Sequence, residues 1–392
     1  MSADLVDETG ATLTQLPFPP VTKSHILNCS YHSWHPKYRG ITPKARLVPL
    51  PDTFLEYLRA DGIVIPPEEN DRAEWSDNDS GIFSAADNDA DSFEEDNDPS
   101  AHWRETHEEI QRVIDELGGK VAPKLNWSAP KDATWINATN SMQCTSPNDI
   151  YLLLKSSDFI AHDLQHAFDD TVDENVQTSP SNTSTPNPVI RFHLVMRKWI
   201  LLNPAVEFRV FVRNKKIIAV CQRDLNFFDF LFQMREKLLR VILKFFDDKI
   251  RNTFPDQNYT FDVYIPPPHD RVWLVDFNPW APRTDPLLFS WLELLSMQDP
   301  PDNTVEDVDD TTNDEEEEED IEELDYLPEL RLVKRDDPEA YSFSTPQYSA
   351  HKLPLDVVNA ASVDGDLREF ANKWEEAKRL AEQQRDEDSD TE

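Results

Sequence analysis

Glycine is the residue this chain most lacks. Seven occur in 392 residues, at positions 10, 40, 62, 81, 118, 119 and 365, and neither GxGxxG nor GxxxxGK[ST] can be written from them. Both motifs bring backbone close to phosphates where only glycine fits, so their absence excludes the dinucleotide-binding and P-loop folds. Any grip on a phosphate must come from side chains, or from the amides of a loop without glycine. Cysteine is scarcer still. Cys29, Cys144 and Cys221 lie far apart with no CxxC spacing, which argues against a disulfide framework or a zinc cluster and fits a reducing compartment. The HExxH of a metalloprotease and the GxSxG elbow of a hydrolase are missing as well. No apolar run approaches the roughly 18 residues that span a bilayer. The opening MSADLVDETGATL has no basic region leading into an apolar one, so a soluble protein, cytosolic or nuclear, without membrane contact is expected, with the cytoplasm as the preferred place.

Positive charge is short too, with 38 Lys and Arg against 76 Asp and Glu, for a net charge of -38. Direct nucleic-acid binding is therefore not expected. The excess is unevenly placed. Glu68–Asp98 holds thirteen acidic residues and one arginine, Asp302–Asp325 holds fifteen and no base, and together they carry 27 of the 38 net charges. Self-repelling stretches of this kind stay solvated. The rest is mildly acidic and rich in aromatics, with 10 Trp and 21 Phe, enough for real cores. The expected division is 1–67 as the N-terminal part of a first lobe, 68–100 as an acidic disordered insert, and 101–177 as the first lobe continued. A Ser/Thr/Pro/Asn linker at 178–188 then leads to a second lobe at 189–298, a second acidic disordered segment at 299–326, and a strand and charged helix at 327–392.

Periodicity gives a coarse map. Ile110, Val113, Ile114 and Leu117 keep helical spacing, and Gly118–Gly119 stops the helix that begins at Trp103. Ser146 to Asp149 opens another, expected to become extended toward Leu164. TFLEYLRADGIVIPP predicts a short helix, a glycine turn and a strand, and VAPKLNWSAPKDATWI predicts two strand-like pieces broken at Pro123 and Pro130. VIRFHLVMRKWILL predicts a strand, EFRVFVRNKKIIAVCQRD a hairpin turning at Asn214–Lys216, and Met234–Ile250 a long helix. PLLFSWLELLSM predicts a helix, ELRLVK a strand and Leu367–Gln384 a charge-laced helix. His32, His35 and Cys29, among Tyr and Trp, read as packing residues rather than metal ligands.

The chemistry centres on YTFDVYIPPPHDRVWLVDFNP, Tyr259–Pro279, which predicts two antiparallel strands joined by a proline-rich turn. Asp276 and Asn278 share a strand face. Partnering Ile265 with Arg271 sets Asp262 opposite Leu274 and on the face of Asp276. Asp is depleted in strands, and two carboxylates with an amide are hard oxygen donors suited to Mg²⁺ against phosphates. Cations cluster elsewhere: Lys124 and Lys131 in PKLNWSAPKDA, Arg197 and Lys198 beside Trp199 in MRKW, and Arg209 and Arg223 in the second hairpin. In a mildly acidic chain they suggest a polyanion the size of a nucleoside triphosphate. Arg209 stands out because EFRVF places it with Glu207, away from Phe208 and Val210, and Arg suits bidentate phosphate contacts. A kinase reading of QRDLN and VDFNP fails on spacing and on the missing glycine loop.

PKLNWSAPKDATWI, DIYLLLKSSDFIAHDL, LVMRKW, EFRVFV, AVCQRD and VWLVDFNPW together resemble the cell division cycle protein 123 (D123) family, in order and in spacing. The resemblance covers about Leu27–Glu293. It implies an α+β, ATP-grasp-like fold with two lobes of mostly antiparallel sheet clasping Mg-ATP. It also implies an assembly factor for translation initiation factor 2 that binds the gamma subunit and supports cell-cycle progression. By the same resemblance Lys124 and Lys131 reach the phosphates and Ala129 approaches through its backbone. The MRKW segment, with Arg197, Lys198 and Trp199, is then the hinge on the adenine side; Arg209 and Arg223 face the phosphates, and Asp262, Asp276 and Asn278 hold Mg²⁺. His193 stands where an acid is expected before the hinge. An ATP-grasp ligase acting through an acylphosphate is the alternative, and an acidic scaffold a third reading.

Two expectations for the nucleotide-free protein follow. Lys124→Ala should leave its melting temperature alone, and Asp276→Asn should be neutral or mildly stabilising because two nearby carboxylates repel. Deleting Glu68–Asp98 should leave one cooperative melt; loss of that transition would make the segment part of the core.

Overall fold

The computed structural model describes residues 16–67, 98–172, 190–300 and 327–335. These belong to one unit, Met1–Ala340; a second, Tyr341–Glu392, lies outside them, and so does the helix expected there. The acidic segments and the 178–188 linker also lie outside the described residues, apart from margins at 98–100 and 299–300.

The first sheet is antiparallel with order β1-β3-β2, from β1 (Ala45–Pro49), β2 (Val121–Lys124) and β3 (His193–Lys198). Pro123 is tolerated because β2 is an edge strand. Four helices cover this sheet: α3 (Asp52–Arg59), α4 (Arg104–Glu116), α5 (Pro147–Lys155) and α6 (Asp158–Gln165). The core between them includes Phe54, Ile110, Ile114, Tyr151, Leu194 and Met196. As the spacing predicts, α4 buries Ile110, Val113 and Ile114, and it ends where Gly118 and Gly119 take φ of 96° and 78°. A capping box of Ser146 and Asp149 with Pro147 in the first turn starts α5.

The second sheet has order β7-β6-β4-β5-β8, from β4 (Glu207–Arg213), β5 (Lys216–Gln222), β6 (Tyr259–Tyr264), β7 (Trp273–Pro279) and β8 (Glu329–Arg331). All pairs are antiparallel except β8, which joins β5 in parallel. Asn214 and Lys215, at φ of 52° and 60°, make the tight turn between β4 and β5. One face carries Phe208, Val210, Phe261, Val263 and Phe277, and packs with α8 (Arg235–Phe245), which runs on into a π-helical turn. The other face is divided. Phe211, Trp280 and Phe289 pack there with α9 (Trp291–Ser296), and the remainder bears Arg209, Asp262, Asp276 and Asn278.

Six local expectations change. Residues 158–165 form a helix rather than an extended piece, because Ser157 caps α6. Residues 131–136 form a 3-10 turn, not a strand, and 63–67 form no strand. The strand His193–Lys198, expected to open the second lobe, is the middle strand of the first sheet, so the crossing lies at 199–206. The aromatic stretch assigned to the first lobe packs on the second sheet. It forms α1 (Lys23–Asn28) and α2 (Tyr31–Tyr38), and Trp34 and Tyr38 meet Phe277 of β7 at 5.5 and 5.4 Å. His35 stacks on Tyr31, a packing role. The sixth change is in the register of β6 and β7, taken up below. Among the described residues no helix is long and apolar enough to cross a membrane.

The margin of the first acidic segment is structural. Asp98 accepts the Ser100 amide at 2.9 Å and pairs with Arg104 at 2.8 Å, starting the turn that buries Trp103. Asp98→Ala should cost about 0.5–2 kcal/mol in urea unfolding. An unchanged midpoint would show the cap to be idle.

Candidate functional site

Antiparallel pairing sets one row of side chains across three strands. Arg209 of β4 lies opposite Asp262 of β6, Asp262 opposite Asp276 of β7, and Thr260 opposite Asn278. Asp262 and Asp276 therefore do share a face, though not by the register expected. The strands end at Tyr264 and Trp273 instead of flanking a turn at Ile265 and Arg271, and the pairing shifts between Asp262 and Val263. Val263 faces Leu274 and Asp262 faces Asp276, so Val275 is the extra residue of a bulge. The bulge sends Leu274 into the core while Asp276 faces the cleft.

Each carboxylate has its own cation. Arg209 grips Asp262 with Nε at 2.8 Å and Nη2 at 2.9 Å, and donates Nη1 to the Asp285 carbonyl at 2.6 Å. Burial alone would raise the Asp262 pKa, yet Arg209 and Arg223 hold the carboxyl well below the usual range. The Arg209 guanidinium is held charged by the same pair, against the effect of burial. Lys124 reaches across from the first sheet to Asp276 at 2.5 Å, and also donates to the Trp127 carbonyl. Its side chain is 1% exposed, and burial lowers its pKa despite the attraction of Asp276. Asn278 donates to Asp262 at 3.4 Å.

Around this row the cleft is cationic. Arg223 pairs with Glu207 at 3.2 Å, and its Nε lies 3.6 Å from Asp262 with no hydrogen-bond partner among the described residues. Arg197 donates to the carbonyl of the bulge residue Val275 at 3.3 Å and lies over the Tyr31 ring. A cavity beside it is lined by Lys131, Arg197, Lys198, Trp199, Glu207 and Arg223. The Lys131 pKa falls to about 8, chiefly through repulsion by Arg223. Lys131 is solvent-exposed, so that repulsion, more than loss of water, governs the shift. A larger cavity of about 300 Å³ between Pro19–Val21 and Pro255–Asn258 touches none of these residues. The convergence of charge favours the cleft as the site.

The structure thus gathers Lys124, Lys131, Arg197, Arg209, Arg223, Asp262, Asp276 and Asn278 at one cleft, with Lys198 and Trp199 on its wall and Ala129 two residues before Lys131. Two participants escaped the sequence list. Glu207 was legible only as a neighbour of Arg209 in EFRVF, and Asp163, which accepts the Trp127 and Ser128 amides, gave no signal in DIYLLLKSSDFIAHDL, a stretch expected to be extended there. As a donor set, two carboxylates opposite each other and an amide suit Mg²⁺, since all are hard oxygen ligands.

These pairs reverse both expectations for the nucleotide-free protein. The carboxylates are not in unrelieved repulsion, and Lys124 is not a surface charge. Removing one member of a buried pair strands the other, a loss of about 3–5 kcal/mol when burial is complete. Lys124→Ala should approach that loss in denaturant unfolding without ligand. Asp276→Asn, which strands the buried Lys124 ammonium without a counter-charge, should also destabilise, but by less, because the Asn carbonyl can still accept the Lys124 hydrogen bond. Unchanged midpoints would mean the pair is not formed in solution.

The D123 family model matches residues 34–361. The "Cell division cycle protein 123" of Phaeosphaeria nodorum is 62% identical over 375 residues, covering 91% of this chain and 96% of that one. The "Translation initiation factor eIF2 assembly protein" of Aspergillus niger is 55% identical over 381 residues, covering 97% and 94%. The solved structure of Cdc123 from Schizosaccharomyces pombe is similar with a TM-score of 0.58 and 36% identity, covering 81% of this chain and all of that one.

Proposed function

We propose a function for this chain from one premise: it belongs to the D123 family. The proposal is that it binds Mg-ATP in an ATP-grasp-like cleft and acts in the cytoplasm as an assembly factor for translation initiation factor 2, through the gamma subunit. The assembly role rests on the name carried by relatives such as the Aspergillus niger protein. The observation that carries the nucleotide site is the row of Arg209, Asp262 and Asp276, closed from the other sheet by Lys124.

In this reading Asp262, Asp276 and Asn278 would hold Mg²⁺, which would supply neutralising charge for the phosphates. Lys124, Lys131, Arg209 and Arg223 stabilise phosphate oxygens, and the Ala129 amide approaches from the loop. Arg197, Lys198 and Trp199 border the adenine. The cations are already positioned by Asp262, Asp276 and Glu207, so little side-chain ordering remains for the nucleotide to bring about. Arg197 and Lys124 also tie the first sheet to β7. A polyanion that draws on them changes that tie, which links nucleotide to the surface offered to a partner.

Calorimetry with ATP should give heat in magnesium and far less in EDTA; equal absence of heat in both would overturn the nucleotide reading. Immobilised chain should retain purified gamma subunit, and no retention with or without Mg-ATP would overturn the partner reading. Turnover that appears only with an added carboxylate and amine would favour a ligase instead. Because the Lys131 pKa lies near 8 in the free protein, ATP affinity should fall as pH rises through 8, with proton uptake on binding. Lys131→Arg should flatten that profile; a profile unchanged by the substitution would remove Lys131 from the phosphates.

A further inference from the structure

We infer that Asp163 is a positioning residue that substitutes for glycine in the phosphate loop, fixing Ala129–Lys131 for the nucleotide by holding the loop's backbone from helix α6. This rests on the reading that the cleft binds Mg-ATP.

A loop that approaches phosphates usually relies on glycine for its shape. Here Leu125–Lys131, LNWSAPK, has none. The shape comes from side-chain carboxylates. Asp163 in the middle of α6 is 4% exposed and accepts three donors from the loop. Its Oδ2 takes the amides of Trp127 at 3.2 Å and Ser128 at 2.7 Å, and its Oδ1 takes the Ser128 hydroxyl at 2.7 Å. Past the lysine, Asp132 returns the grip: it accepts the Ser157 hydroxyl at 2.6 Å and the Asp158 amide at 2.7 Å, at the start of the same helix. Ala129, Pro130 and Lys131 hang between these two anchors. The Trp127 and Ser128 amides are committed to Asp163, whereas the Ala129 amide donates to no group among the described residues. That leaves it as the loop amide open to a phosphate oxygen.

A carboxylate in this place is costly. Burial pushes the Asp163 carboxyl up to about 6, even against its three donors and the charge of Lys124. The loop has other fastenings that carry no charge. Asn126 bridges the Arg191 carbonyl and the His193 amide, and the Trp127 indole donates to the Ile26 carbonyl at 2.8 Å. They hold Asn126 and Trp127. Ser128, next to the segment that faces the cleft, is tied within the loop by the Leu125 amide on its carbonyl, and its own amide and hydroxyl are anchored to the helix by Asp163.

The test compares wild type with Asp163→Asn, which keeps the volume but offers one acceptor in place of two. Affinity for Mg-ATP is read by calorimetry and affinity for adenosine by saturation-transfer NMR. Mg-ATP binding should weaken by about ten- to a hundredfold, the worth of a hydrogen bond to a charged group, while adenosine binding holds. A purely structural role would weaken both ligands alike or neither, and either result overturns the inference. If Asp163→Asn does not fold, Ser128→Ala, which removes one of the three donors and leaves the amides, should weaken Mg-ATP selectively by a smaller factor; no selective loss there overturns it equally. Wild type that binds neither ligand would instead refute the nucleotide reading on which the inference rests.

Discussion

The site and the seating of the two sheets depend on one constraint: a charge removed from water must meet its opposite. The row across β4, β6 and β7 places two carboxylates on adjacent strands, an arrangement that repels itself when unattended. Arg209 answers Asp262 from within the second sheet. Asp276 has its counter-charge from the other sheet, where Lys124 stands at the end of an edge strand. The lysine ion pair is therefore also a contact between lobes. Arg197 repeats the pattern one strand over, because the bulge at Val275 leaves a carbonyl outside the ladder for its guanidinium. Pairs of this kind add little net stability, since desolvation offsets most of their attraction. What they fix is geometry, which is what the proposed triphosphate site would require.

Much of this was legible in the sequence because strand parity is robust to small errors. The expected register set Asp262 against Leu274, and the observed one sets it against Asp276. The chosen face is the same because the shift at that residue is an even number of positions. Leu274 shows the limit. Parity put it with Asp276, but the intervening bulge turned it into the core, and no residue type in VWLVDF announces a bulge. The capping box at Ser146–Asp149 and the glycines after α4 were readable because their signals are local.

What the sequence withheld was long-range. Lys124 reads as one basic residue in PKLNW; its complete burial follows from a partner 152 positions away. His193–Lys198 is joined closely in sequence to β4 yet completes the other sheet, since a central strand needs neighbours on both sides and β1 and β2 supply them. Asp163 carries no motif, and its importance appears only once the loop it holds is folded against it. The scarcity of glycine, by contrast, was informative from the outset: it left any grip on a phosphate to side chains or to the amides of a glycine-free loop, and the Leu125–Lys131 loop has no glycine and is held by two carboxylates.

The most direct measurement is the anomalous scattering of manganese in crystals grown with Mn²⁺ and a non-hydrolysable ATP analogue. The account predicts a metal peak ligated by side-chain oxygens of Asp276, Asn278 and Asp262, with phosphate oxygens in contact with Lys124 and Lys131. A metal bound away from all three side chains, or a nucleotide whose phosphates meet neither lysine, would contradict it.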